Sequence, residues 1–135
     1  VTGAGERLLI TGDDDVVRVR QSVRAAAQRA RLSLVDQTKL VTATSELARN
    51  TLIYGGGGHA LVEILDQDGR QGIRAAFVDD GPGIPDIDLA MTDGWTSGSG
   101  LGLGLSGARR LVDEFDLDTA AGKGTTVTVV KWRRR

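Results

Sequence analysis

The sequence predicts an α+β fold, a two-layer α/β sandwich in which helices cover one face of a mixed, mostly antiparallel sheet. Three observations carry that expectation. Periodicity gives the order strand, helix, helix, hairpin, loop, helix, hairpin, which mixes antiparallel pairs with helices. The 135 residues are 40% apolar and 26% charged, which suits one domain, 1–135, around one core. No repeat period is present, so solenoids and propellers are excluded.

Residues 6–11 are short and partly alternating, as in a strand. Asp13, Asp14 and Asp15 then precede Val16 as a helix start, with acids at the positive end of the helix dipole. From 16 to 32, Val16, Val19, Val23, Ala26, Ala27 and Ala30 recur at three- and four-residue steps. Arg18, Arg24, Arg29 and Arg31 fall between them, so this helix buries one stripe. Asp36 is read as the cap of a second helix running to about Tyr54, with Leu40, Ala43, Leu47 and Tyr54 on one face. That helix stops at the run Gly55 to Gly58.

Strands over 59–66 and 72–79 follow, joined through Asp68-Gly69, a pair that accepts positive φ in tight hairpins. Residues 80–104 hold both prolines and a concentration of glycines, so they form a long loop, with one turn of helix expected over 86–91. Long loops in compact domains are usually functional. A third helix is expected over 105–115, with Leu105, Ala108, Leu111, Val112 and Phe115 on one side. Strands over 117–121 and 125–132 close the sheet, and Arg133, Arg134 and Arg135 end the chain as a basic tail.

Composition narrows the function. Lys and Arg total 17 against 18 Asp and Glu, a net charge of −1, so there is no overall field to hold nucleic acid. The absence of Cys and a single His, His59, exclude disulfides and the usual zinc ligand sets and leave oxygen-ligand metals such as magnesium. No apolar run is long enough to span a bilayer and no signal peptide is evident, so no membrane partner and a cytoplasmic location are expected.

Four segments could carry chemistry. In the second helix, Glu46 and Asn50 are four residues apart, which puts a carboxylate and a carboxamide on one face; alone, such a pair is commonplace. Asp79-Asp-Gly-Pro-Gly-Ile84 sets an acid at a strand end before residues that let the backbone turn and a ligand approach. Asp79 shares the parity of Ile73, Ala75 and Phe77, so it points to their side, where a carboxylate needs a donor.

Gly98-Ser-Gly-Leu-Gly-Leu-Gly-Leu105 runs into a helix and offers backbone N–H groups to an anion such as phosphate. A flexible hinge or linker is the alternative reading of this segment, weakened because Leu101, Leu103 and Leu105 are odd in a solvated linker. Gly102, Gly104 and Gly107 match a dinucleotide spacing, but no strand leads directly into it and no acid lies about twenty residues later. A P-loop is also excluded, because no Gly-Lys-Ser/Thr occurs. The fourth segment, Gly122-Lys-Gly-Thr-Thr126, is by itself a hairpin turn.

Taken in order, the four segments resemble the nucleotide-binding fold, the Bergerat fold, shared by gyrase, Hsp90, histidine kinases and MutL. The match covers about residues 36–130 and includes Glu-x-x-x-Asn, Asp-x-Gly-x-Gly, a Gly-x-Gly lid and Gly-Thr. The resemblance implies ATP and Mg²⁺. Asp79 would accept a hydrogen bond from the adenine amino group with Thr125 nearby, and Gly81 and Gly83 would permit close approach. Asn50 would ligate Mg²⁺, and Glu46 would be the general base. Gly98, Gly100, Leu101, Gly102, Leu103 and Gly104 would form the phosphate-wrapping segment.

One departure is Tyr54, which stands where histidine kinases often place His or Lys four residues after the Asn. Arg49, or an arginine from a partner, is the expected substitute charge. A phosphoacceptor helical hairpin is missing, so a complete sensor histidine kinase is not expected. The segments Ser45-Glu-Leu-Ala-Arg-Asn50, Asp80-Gly-Pro-Gly-Ile-Pro-Asp86, Asp93-Gly94, Arg110-Leu-Val-Asp-Glu-Phe115 and Lys131-Trp132 resemble the RsbT-type serine/threonine switch kinases of the bacterial stressosome. That class implies phosphorylation of STAS-domain antagonist proteins, followed by activation of a downstream phosphatase. An anti-sigma factor kinase of the same fold and a non-catalytic ATP-binding module are the alternatives, and oligomeric state is left open.

Overall fold

A computed structural model describes residues 5–84, 91 and 104–134. Strand β1 (Glu6–Ile10) passes through Thr11 and Gly12 into helix α1 (Asp13–Arg29). The helix starts at Asp13 because Asp15 turns back on the preceding backbone. Its Oδ2 accepts the N–H groups of Thr11 at 2.8 Å and Gly12 at 3.1 Å and the Thr11 hydroxyl at 3.0 Å. These donors, the Thr11 N–H foremost and its hydroxyl next, hold the Asp15 carboxyl below its ordinary range. The predicted stripe, including Val19, Val23, Ala26 and Ala27, is buried.

Arg31 takes a φ of 63° and reverses the chain, after which Ser33 caps α2 (Leu34–Ile53) by accepting the Asp36 N–H at 3.1 Å. Asp36, expected as the cap, is therefore in the first turn. Its carboxylate is buried and faces Lys131 Nζ at 3.7 Å and Arg134 Nε at 3.1 Å, while Lys131 also faces Asp113 at 3.6 Å. A buried acid is tolerated there because cations and the positive end of the helix dipole surround it.

The remaining elements are β2 (Gly58–Gln67), β3 (Arg70–Asp79), α3 (Gly104–Arg110), β4 (Glu114–Thr119) and β5 (Thr125–Trp132). The five strands lie in the order β1-β2-β3-β5-β4, and all four neighbouring pairs are antiparallel. The α+β sandwich is as predicted, but the sheet among the described residues is antiparallel throughout rather than mixed. Its topology gives the reason. Strand β4 runs in the direction of β3, yet β5 inserts between them, so two strands of like direction never become neighbours. The β2–β3 hairpin turns at Asp68 and Gly69, both at positive φ, as the dipeptide predicts.

One sheet face carries Ala60, Val62, Ile73, Ala75, Phe77, Val127 and Val129, all buried in a core shared with Val19, Val23, Leu40, Ala43 and Leu47 of α1 and α2. The third helix is shorter than expected: it ends at Arg110, not Phe115. Past it, Leu111 N–H bonds Ala108 O, and Asp113 N–H bonds Val130 O, which commits the chain to the sheet edge. In β4, exposed Glu114, Asp116 and Asp118 alternate with half-buried Phe115, Leu117 and Thr119. Helical and strand spacings both bury Phe115, and pairing with β5 decides between them. The predicted turn at 86–91 lies, apart from Met91, outside the described residues.

Candidate functional site

The site is built where the C-terminal end of α2 meets the ends of β3 and β5. Asp79 is the last residue of β3, opposite Thr125, the first of β5. Its parity puts it on the helix-covered face, as predicted, where it is half-buried. Burial pushes the Asp79 carboxyl above its ordinary value and the neighbouring Asp80 charge adds to this, against the opposing hydrogen bonds from the Gly81 and Thr125 backbone. The Gly81 N–H reaches Asp79 Oδ1 at 2.8 Å.

Backbone closes around this carboxylate. A β-carbon at Gly55 would stand 2.6 Å from Asp79 Oδ2, and one at Gly81 would stand 2.8 Å from the Gly55 carbonyl oxygen. Gly83, at φ +76°, lies so close to the Ala120 carbonyl that no side chain fits there. The turn that follows Asp79 is tied to the β4–β5 hairpin from two sides. Pro82 O accepts the Gly122 N–H at 2.6 Å, and the Ile84 N–H donates to Thr119 Oγ1 at 2.9 Å.

Helix α2 brings the other polar groups. Glu46 and Asn50 are half-buried on one face, with exposed Arg49 beside them. Glu46 Oε2 faces the N–H of Gly104, the first residue of α3, at 3.4 Å, the long end of hydrogen bonding. The Asn50 carbonyl accepts the N–H groups of Tyr54 at 2.9 Å and Gly55 at 3.1 Å, so the last turn of α2 delivers Gly55 to the face of Asp79. Tyr54 itself is exposed.

The structure thus groups Asp79, Gly81, Gly83 and Thr125 in one cluster and Glu46 with Gly104 in a second, with Asn50 between them along α2. Gly98, Gly100, Leu101, Gly102 and Leu103 lie outside the described residues. Sequence reasoning missed Gly55 and Thr119. The four-glycine run was the available signal for Gly55, read only as a helix stop. Thr119 needed the correct extent of β4, whose alternation places it toward Thr125.

An acceptor carboxylate walled by glycine backbone suits a flat ligand that brings an N–H donor, such as the amino edge of adenine. Adding a methyl at Gly55 costs about 1–3 kcal/mol of overpacking. Gly55→Ala is therefore expected to displace Asp79 and weaken ATP binding about tenfold or more, read by calorimetry. Unchanged affinity would remove Gly55 from the wall.

Residues 35–135 match the family of histidine kinase-, DNA gyrase B- and HSP90-like ATPases. The chain belongs to that ATPase family. It is 44% identical over 120 residues to the serine/threonine-protein kinase RsbT of Bacillus subtilis (strain 168), a match that covers 89% of this chain and 90% of the relative. It is 29% identical over 117 residues to an anti-sigma F factor of Clostridium novyi (strain NT), covering 83% and 82%.

The fold is shared with part of a Mycobacterium tuberculosis structure of RsbU and RsbW domains, with a TM-score of 0.65 at 22% identity over 98% of this chain and 34% of that one. The SiaB–SiaC complex of Pseudomonas aeruginosa gives a TM-score of 0.54 at 14% identity over 97% and 90%. No helix among the described residues is long and apolar enough to cross a membrane.

Proposed function

We propose that the chain is an ATP-dependent serine/threonine protein kinase that acts as a partner switch. In this reading residues 1–135 form one kinase domain, in the cytoplasm, that phosphorylates a STAS-domain antagonist protein and then activates a downstream phosphatase. The observation that carries the reading is the convergence of α2 and β3: a glycine-walled Asp79 at one end, and Glu46 two turns back along the same helix.

Asp79 accepts the adenine amino hydrogen, and Gly81, Gly83 and Thr125 line the base. Asn50 offers its carboxamide oxygen to Mg²⁺, an ion that prefers a few protein oxygens combined with phosphate and water. The segment Gly98, Gly100, Leu101, Gly102, Leu103 and Gly104 offers backbone N–H groups to the phosphates. Bound ATP supplies the γ-phosphoryl group. Glu46 accepts the proton of the target hydroxyl as that oxygen bonds to the γ-phosphorus and the bond to the ADP oxygen breaks. Contact between Glu46 and Gly104 supports this placement, because it sets the base beside the phosphate-binding segment. Phosphoryl transfer depends chiefly on such positioning and on charge neutralisation.

The test is incubation with labelled ATP, Mg²⁺ and STAS proteins of the same genome. Phosphate on a Ser or Thr of one of them is expected; its absence from all of them, with ATP bound, would favour a non-catalytic module. Similarity to anti-sigma F factors keeps a second reading, an anti-sigma factor kinase, in view. Capture of a sigma factor by the purified chain would select it.

A further inference from the structure

We infer that Thr119 is a positioning residue that sets the direction of the Thr125 hydroxyl and so helps select adenine over guanine. The inference rests on the proposed nucleotide site. Thr119 ends β4 and lies outside the four motif segments, yet its Oγ1 touches three groups of the site. It accepts the Ile84 N–H at 2.9 Å, lies 3.0 Å from the Gly124 carbonyl oxygen and lies 2.9 Å from Thr125 Oγ1.

A hydroxyl has one proton to donate and two lone pairs to accept with. The Ile84 N–H occupies one lone pair. The Thr119 proton then goes either to Gly124 O or to Thr125 Oγ1. Donation to Thr125 would leave one Thr119 lone pair idle and withdraw this donor from the Gly124 carbonyl, in a residue that is buried. Donation to Gly124 leaves the second lone pair to receive the Thr125 proton, and every group is used. Counting donors and acceptors therefore favours the second arrangement.

The consequence reaches the base. With its proton held by Thr119, Thr125 turns only lone pairs toward its neighbourhood, next to the acceptor carboxylate of Asp79, its register partner. Two acceptors side by side favour a base edge that donates, as the amino group of adenine does. They disfavour the carbonyl that guanine carries at that position. The same hydroxyl pins Ile84, and with it the turn that carries Gly81 and Gly83.

The experiment compares Thr119→Val, which keeps the shape and removes the hydroxyl, with Thr119→Ser, which keeps the hydroxyl. Binding of ATP and GTP is measured by calorimetry, and exchange of the Ile84 amide by NMR. Thr119→Val is expected to lose about tenfold in preference for ATP over GTP, the scale of one hydrogen bond. Its Ile84 amide should exchange faster, whereas Thr119→Ser keeps the preference and the protection. Parental preference in the Val variant would overturn the inference, as would an unprotected Ile84 amide in the parent, a result that holds even if the Val variant does not fold. Failure of the parent to bind ATP would instead sink the nucleotide reading itself, so the two failures are distinguishable.

Discussion

Glu46→Gln is expected to lower phosphoryl transfer by about 10²- to 10⁴-fold while ATP binding is retained, the range for a lost general base. The substitution keeps the size of the side chain and an oxygen able to face the Gly104 N–H, so α2 and α3 stay in register. What it removes is the carboxylate's capacity to take a proton, the role proposed for Glu46. Single-turnover transfer to the STAS protein, measured beside the ATP dissociation constant, separates the two effects. Transfer at the parental rate would show that the proton leaves by another route.

Asp79→Asn has the second largest expected effect, and its two consequences run in opposite directions. Binding of ATP should weaken by about 1–3 kcal/mol, because the amide can present an N–H where the ligand needs an acceptor. A purine triphosphate without the amino group should lose less. Stability at neutral pH, by contrast, should not fall. The folded-state pKa of Asp79 is raised by burial, so its ionised form is disfavoured by folding. That cost is absent below the ordinary carboxyl range, grows as pH rises toward the raised value and is fully present above it. Asn removes the charge and the cost together. Chemical denaturation at pH 7 checks this, and a less stable variant would show that the carboxylate is a structural requirement.

Much of the fold was legible because apolar spacing and turn chemistry agreed. The α1 stripe, the Asp68-Gly69 hairpin and the inward parity of Asp79 each rest on local rules that the tertiary structure does not override. Where two local rules compete, the sequence is ambiguous. Ser33 and Asp36 are both good caps, and only the depth of Asp36 against Lys131 and Arg134 decides that it belongs inside. Lys131 shares the parity of Val127 and Val129, so a buried ammonium stands where alternation alone predicts an apolar side chain. Its acid partners lie on α2 and just before β4, far away in sequence. Phe115 fits a helix or a strand equally well, which extended the third helix by five residues.

The site was legible to the extent that its residues sit in motifs. Glu46, Asn50, Asp79, Gly81, Gly83, Gly104 and Thr125 were named from four short segments. Gly55 and Thr119 act through contacts across the fold that no spacing records: one leaves no room for a side chain beside the Asp79 carboxylate, the other links two loops through a single hydroxyl. Both emerged only once α2, β3 and β4 were brought side by side.

Isothermal titration of the purified chain with ATP in the presence of Mg²⁺ tests the central claim most directly. Saturable heat at one site per chain is predicted, strongly reduced in Asp79→Asn. No heat in the parent protein, or equal heat in both proteins, would contradict the assignment of this carboxylate to the purine.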